Sequence, residues 1–188
     1  MSSARNTLVR SLHDVGAAAW FGGSLMGAVG LNGGAGVADD PTERAAIAAD
    51  GWARWSPVAA GAIGAHLVGG LGLLLANRER ATNLPGVRVN TGVKTALTAA
   101  ALGTTAWSGL LGRRLGQMED EPAKSATDPS PRASREFRTT QKQLRTLQWV
   151  TPALTGVIVV LAAQQGEQQR PSQELSGRAA RVARRVRR

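Results

Sequence analysis

Cysteine is absent from the 188 residues, which excludes a disulfide framework and any thiolate chemistry at a metal or redox centre. Tyrosine is absent as well, and phenylalanine and histidine occur twice each, so the aromatics are mainly five tryptophans and a histidine-rich metal cluster has almost nothing to be built from. No HExxH, paired-carboxylate, activated-nucleophile or phosphate-loop pattern is present, and the chain does not read as an enzyme. The most informative shortage is local. Charged side chains are missing altogether from residues 15–38, 55–77, 95–112 and 146–166. Each run is 18 residues or longer, the length at which a helix crosses a bilayer core. The mean hydropathy of −0.14 looks soluble only because alanine and glycine, rather than leucine and isoleucine, fill the runs. A soluble helix would carry charges every third or fourth position on its outer face, and these have none.

The expected fold is therefore all-α: a four-helix transmembrane bundle with spans at about 12–32, 56–76, 94–112 and 147–165 in one domain, 1–166. The charge between the spans orients it. The lead-in holds Arg5 and Arg10 without an acid, the 33–54 connection is net −2 and the 77–94 connection net +3. Basic segments stay in the cytoplasm, so both termini are placed there, in a multi-pass protein of the cell membrane. The 112–145 connection, net +3 with Arg113 and Arg114 at its start, conflicts with an outside location. Its 113–134 part, rich in Pro, Ser and acids, reads as a flexible, disordered loop.

Local signals add detail. Asp40, Pro41 and Glu43 form a helix start, which predicts an extra short interfacial helix from Pro41 to about Trp55, with Trp52 and Trp55 at the headgroup level. Leu84-Pro85-Gly86 reads as a turn inside the basic 77–94 loop. Pro152 predicts a kink, or a late start near Trp149, for the fourth span. Gly23 and Gly27 form a GxxxG pair, and Gly61 and Gly69 extend the small-residue faces to the second span, where helices approach closely or receive a homo- or hetero-oligomeric partner. The disordered basic tail, 167–188, carries Arg178, Arg181, Arg184, Arg185, Arg187 and Arg188 and suits anionic lipid headgroups. Without interleaved aromatics it does not suit nucleic acid.

The candidates for chemistry are His13 beside Asp14, His66 near mid-membrane, and Lys94. An intramembrane ionisable residue marks a functional site by default, against the plainer alternative of a neutral imidazole bonded to a hydroxyl or carbonyl of the next helix. Two histidines also suggest a bis-histidine haem b. The span limits place His13 at the inner end of span one and His66 about 11 residues, roughly 16 Å, from the inner end of span two. The rings are thus expected at different depths, and no cofactor is expected. His13-Asp14 then reads as a proton-handling pair or an interface histidine.

His13, Trp20, Gly22 and Gly23, as H-x6-W-x-G-G, resemble the opening helix of four-helix membrane families such as the copper-resistance D domain and the four-helix protoporphyrinogen oxidase of the haem pathway. The resemblance implies that a first-helix histidine and a third-helix lysine, here His13 and Lys94, serve haem and substrate. The Arg and Tyr pattern that flanks them in the oxidase is missing. The whole chain resembles four-helix integral membrane proteins of high-GC actinobacteria. The leading functional expectation is a packing or accessory subunit or scaffold, with a haem- or quinone-associated redox protein and a small-solute transporter using His66 as alternatives.

Overall fold

The structure, a computed structural model, describes residues 2–83, 85–118 and 120–168. Among these there is no strand, and four long helices dominate. Helix α1 spans Ser2–Met26 and runs through a π-helical turn, Gly27–Leu31, into the short α2, Asn32–Ala35. Helix α3 is Glu43–Asn83, α4 Pro85–Leu115 and α5 Arg135–Gln168. Helix α1 packs on α3 and α5, and α4 packs on the same two.

Helices α1 and α3 run antiparallel in a register set by small residues. A Cβ on Gly16 would stand 2.5 Å from both the carbonyl oxygen of Ala62 and the nitrogen of His66, and one on Gly69 would meet the His13 nitrogen and lie 2.5 Å from the Val9 oxygen. Only glycine permits that approach. Further along, the indoles of Trp55 and Trp52 occupy the space where Cβ atoms of Gly23 and Gly27 would stand. The π turn lengthens the chain locally and sets Asn32 inward, buried, where it accepts a hydrogen bond from Trp52 Nε1 at 2.9 Å and donates one to Gln148 Oε1 at 2.8 Å.

Several expectations are corrected. The interfacial helix is not separate: α3 is continuous from Glu43 through Pro57, because nothing between Trp52 and Pro57 has turn chemistry and the missing N–H of one proline does not end a helix packed on its neighbours. Trp52 and Trp55 lie against α1 instead of lying free at an interface. The basic 77–94 segment is helical on both sides of Leu84, with Pro85 as the first residue of α4, where its absent N–H is not needed. Helix α5 runs unbroken through Pro152, so no late start occurs at Trp149.

The largest correction concerns the loop expected at 113–134: residues 116–118 and 120–134 form an ordered cap and not a flexible loop. Phe137, Ala45, Leu115, Ala123 and Ala133 close a small core, and Ala35, Ala48 and Ala126 a second. The Ala123 nitrogen donates to the Pro41 oxygen at 2.9 Å. Buried Gln141 donates from Nε2 to the carbonyls of Ser125 (3.1 Å) and Ala126 (3.0 Å), and Arg44 donates to the carbonyls of Ala38, Ala123 and Lys124. Ser134 Oγ accepts from the Phe137 nitrogen at 3.2 Å as the N-cap of α5. The polar composition of the segment hides this order, because its own contribution to the cap is hydrogen-bonded backbone and buried alanines, while the large apolar side chains, Leu115 and Phe137, come from the flanking helices.

Candidate functional site: a clasped pair of histidines

His13 and His66 meet. Both are buried, 4% and 3% exposed, and their ring centroids lie 4.3 Å apart with the planes tilted by 38°. The expectation of different depths fails for a physical reason. It set the helix ends by the last charged residue, whereas α1 begins at Ser2 and α3 continues to Asn83, and the glycine contacts, not the charges, fix the register. The histidines belong to the same pattern, His13-x-x-Gly16 and His66-x-x-Gly69. Gly16 receives the backbone of His66 and Gly69 that of His13. Each helix thus carries one imidazole and, one turn on, the notch that admits the other's histidine. This reciprocal H-x-x-G was the legible signal, and it appears only when the two helices are compared.

The hydrogen bonds decide which nitrogens carry hydrogen. The His13 carbonyl can only accept, so the His66 Nδ1 that lies 3.1 Å from it donates. His13 Nδ1 lies 2.8 Å from Asp14 Oδ1 and donates to the carboxylate. With both Nδ1 atoms used as donors, both neutral rings present an Nε2 lone pair; that of His66 faces Thr98 Oγ1 on α4 at 3.5 Å. Lys94, half-buried one turn before Thr98, acts electrostatically on both rings and on Asp14. Trp20 stands edge-on to His66, with centroids 6.1 Å apart, and donates from Nε1 to Thr105 Oγ1 at 3.1 Å.

A bis-histidine haem does not fit this arrangement. Its two axial imidazoles stand on opposite faces of the macrocycle, which holds their helices apart. Here the rings lean on each other and the two backbones touch at Gly16 and Gly69, where the macrocycle would have to pass. Among the described residues no group of three or more His, Cys, Asp or Glu is placed to hold a metal ion.

Comparison with protein-family models, with curated proteins and with solved structures returned no match. The site therefore rests on its own geometry.

Of the other sequence-derived positions, only Gly69 belongs to the clasp. Gly23, Gly27 and Gly69 are taken up by contacts within the chain, and a Cβ on Gly61 would meet nothing. Arg178, Arg181, Arg184, Arg185, Arg187 and Arg188 lie outside the described residues. Gly16, Thr98 and Trp20 join the site although His13, Asp14, His66 and Lys94 alone had been singled out as its candidates. Their signal was spacing: Gly16 follows His13 by one turn, Trp20 by two, and Thr98 follows Lys94 by one.

Proposed function

We propose that this chain is a four-span, multi-pass protein of the cell membrane, with cytoplasmic termini, that binds a proton and shares it between the two rings of the His13–His66 dyad. The observation that carries the reading is the reciprocal clasp, which buries two imidazoles against each other and leaves an Nε2 lone pair on each. Burying two titratable rings costs free energy that an apolar pair would not, which is why such residues inside membranes mark proton pathways. Asp14, with its side chain 46% exposed, is the natural exchange point between His13 and water. Two imidazolium charges 4.3 Å apart would repel by about 4 kcal/mol at an effective dielectric of 20, so the pair holds one proton at a time.

The membrane setting is supported by two helical stretches, Glu43–Ala76 and Arg135–Gln164, that are long and apolar enough to cross. Only 11% and 22% of their most apolar windows are buried, unlike the core helices of a soluble protein. Leu67, Leu71, Leu74, Leu75, Val157 and Val160 face outward, as lipid contact requires. At about 60 Å, α3 is twice the thickness of the hydrocarbon core and extends beyond it. The excess of basic residues at the end holding the N-terminus and the α3–α4 junction supports a cytoplasmic location for that end and an outside location for the cap. Arg113 and Arg114 are then less of a conflict. They lie in the last turn of α4, where Arg113 donates to the Gly109 carbonyl and Arg114 to Glu136, so their charge belongs to the folded cap. The basic tail adds contact with anionic headgroups. The glycine faces expected to receive a partner are mostly spent inside the chain, and the dyad carries the reading in place of an accessory or scaffold role.

The test uses the presence of only two histidines. Protein labelled with 15N-histidine in nanodiscs should show both rings as Nδ1–H tautomers at high pH, and on acidification should take up one proton shared by the two sets of signals. His66→Ala should abolish the coupling between them. Two rings that titrate independently, or a Soret band in protein produced with ample haem, would refute it.

A further inference from the structure

We infer that protons reach the dyad from the cytoplasmic face alone, and that Trp20 is the gate closing the other face; this rests on the dyad reading above. The four long helices together close an apolar layer beside the histidines: Ala17 and Trp20 from α1, Ile63 from α3, Ala101 from α4, Leu154 and Ile158 from α5. Ala101, Ile158, Ala17 and Trp20 are all essentially inaccessible to water. Along α1 and α4 this layer stands between two polar zones. On its cytoplasmic side are the dyad, Asp14 and Lys94. On its cap side Thr151 Oγ1 donates to Thr104 Oγ1 at 3.1 Å and Thr105 accepts from Trp20, while Thr155, within the layer, spends its hydroxyl on the carbonyls of Thr151 and Pro152 of its own helix. Beyond them the Asn32, Gln148 and Thr127 hydrogen bonds lead to the cap.

A proton moves along hydrogen-bonded groups, and an apolar constriction that excludes water interrupts it. The interruption here is one indole thick on the α1 side. Trp20 stands between the His66 ring and Thr105, and its only N–H is directed away from His66, to Thr105. Among the described residues, the charged groups that act on the dyad are Asp14 on α1 and Lys94 on α4, and both lie, like the dyad, on the cytoplasmic side of the apolar layer. The described charged side chains of α5, Arg135 to Arg145, lie at its cap end. Replacing the indole by a small side chain would join the two polar zones through water and turn a one-sided proton site into a leak.

Full-length protein in liposomes loaded with a pH-reporting dye, under a potassium diffusion potential, tests this. Wild type should be proton-tight. Trp20→Ala should raise the flux by about ten-fold or more, since the layer then admits water. The double variant Trp20→Ala/His66→Ala should return to the wild-type level, because the leak runs through the dyad. Ile158→Thr, which sets a hydroxyl into the same layer, should leak in the same His66-dependent way and serves if Trp20→Ala does not insert. A folded Trp20→Ala as tight as wild type, a leaking wild type, or a leak that persists without His66 would each overturn the gate. The histidine titration reports on the dyad separately, so histidines that titrate as a pair beside a tight Trp20→Ala refute the gate and leave the dyad standing.

Discussion

Alanine at position 69 tests the clasp most directly. Its Cβ would lie 2.5 Å from the Val9 oxygen and 2.8 Å from the His13 Cα, where ordinary contact begins at 3.4 Å. Neither obstacle is a movable side-chain tip, so α1 and α3 have to part by roughly 1 Å, which forfeits a quarter to half of the dispersion energy of each pair of atoms separated. Overpacking of this kind costs about 1–3 kcal/mol. Working in the opposite direction, alanine gains roughly 1 kcal/mol over glycine in a helix. Gly61→Ala, on the same helix, receives the gain without the clash, because a Cβ there meets nothing. The difference between the two variants, about 1–3 kcal/mol, therefore isolates the contact. It is measured by circular dichroism during chemical unfolding in mild detergent, together with the 15N spectrum of the histidines, whose Nδ1 hydrogen bond to the His13 carbonyl should weaken in Gly69→Ala only. Equal stabilities for the two variants would refute the register of α1 on α3, and with it the meeting of the histidines.

The cap and the α3 entry give two further expectations. Phe137→Ala removes the one large side chain of the Ala45, Leu115, Ala123 and Ala133 cluster and should cost about 3–5 kcal/mol, read as rapid proteolysis between residues 116 and 134 in a chain whose helices stay intact. Cleavage as slow as in wild type would restore the flexible-loop picture. Asp40 Oδ1 accepts from both the Thr42 hydroxyl, at 2.7 Å, and the Thr42 amide, at 2.8 Å, which together hold its carboxyl below the ordinary 3.8. A carboxyl lowered on folding stabilises the turn above its unfolded value, and that contribution disappears as pH falls through the lower folded value. Protection of the Thr42 amide should therefore persist at pH 3.8 and fade below it; a midpoint above 3.8 would show that the turn is not held by the carboxylate.

Read alone, the amino-acid sequence determined the helical class and the places of the long helices, because uncharged runs of about one bilayer width have few other solutions in water or lipid. It also singled out His13, Asp14, His66 and Lys94, since ionisable residues are conspicuous against alanine and glycine. The cap remained hidden because its order lies in hydrogen bonds from the Gln141 and Arg44 side chains to its backbone carbonyls and in buried alanines, none of which leaves a periodic trace. The joining of the interfacial helix to the second span was hidden because proline and tryptophan are as common at helix starts as along a packed helix. Tertiary structure alone decided that His13 and His66 touch. Charge boundaries locate a helix along the membrane only to within a few turns, and an imidazole is less than one turn wide. The register came from glycines 16 and 69, whose meaning depends on which backbone lies opposite them, and no single helix carries that information.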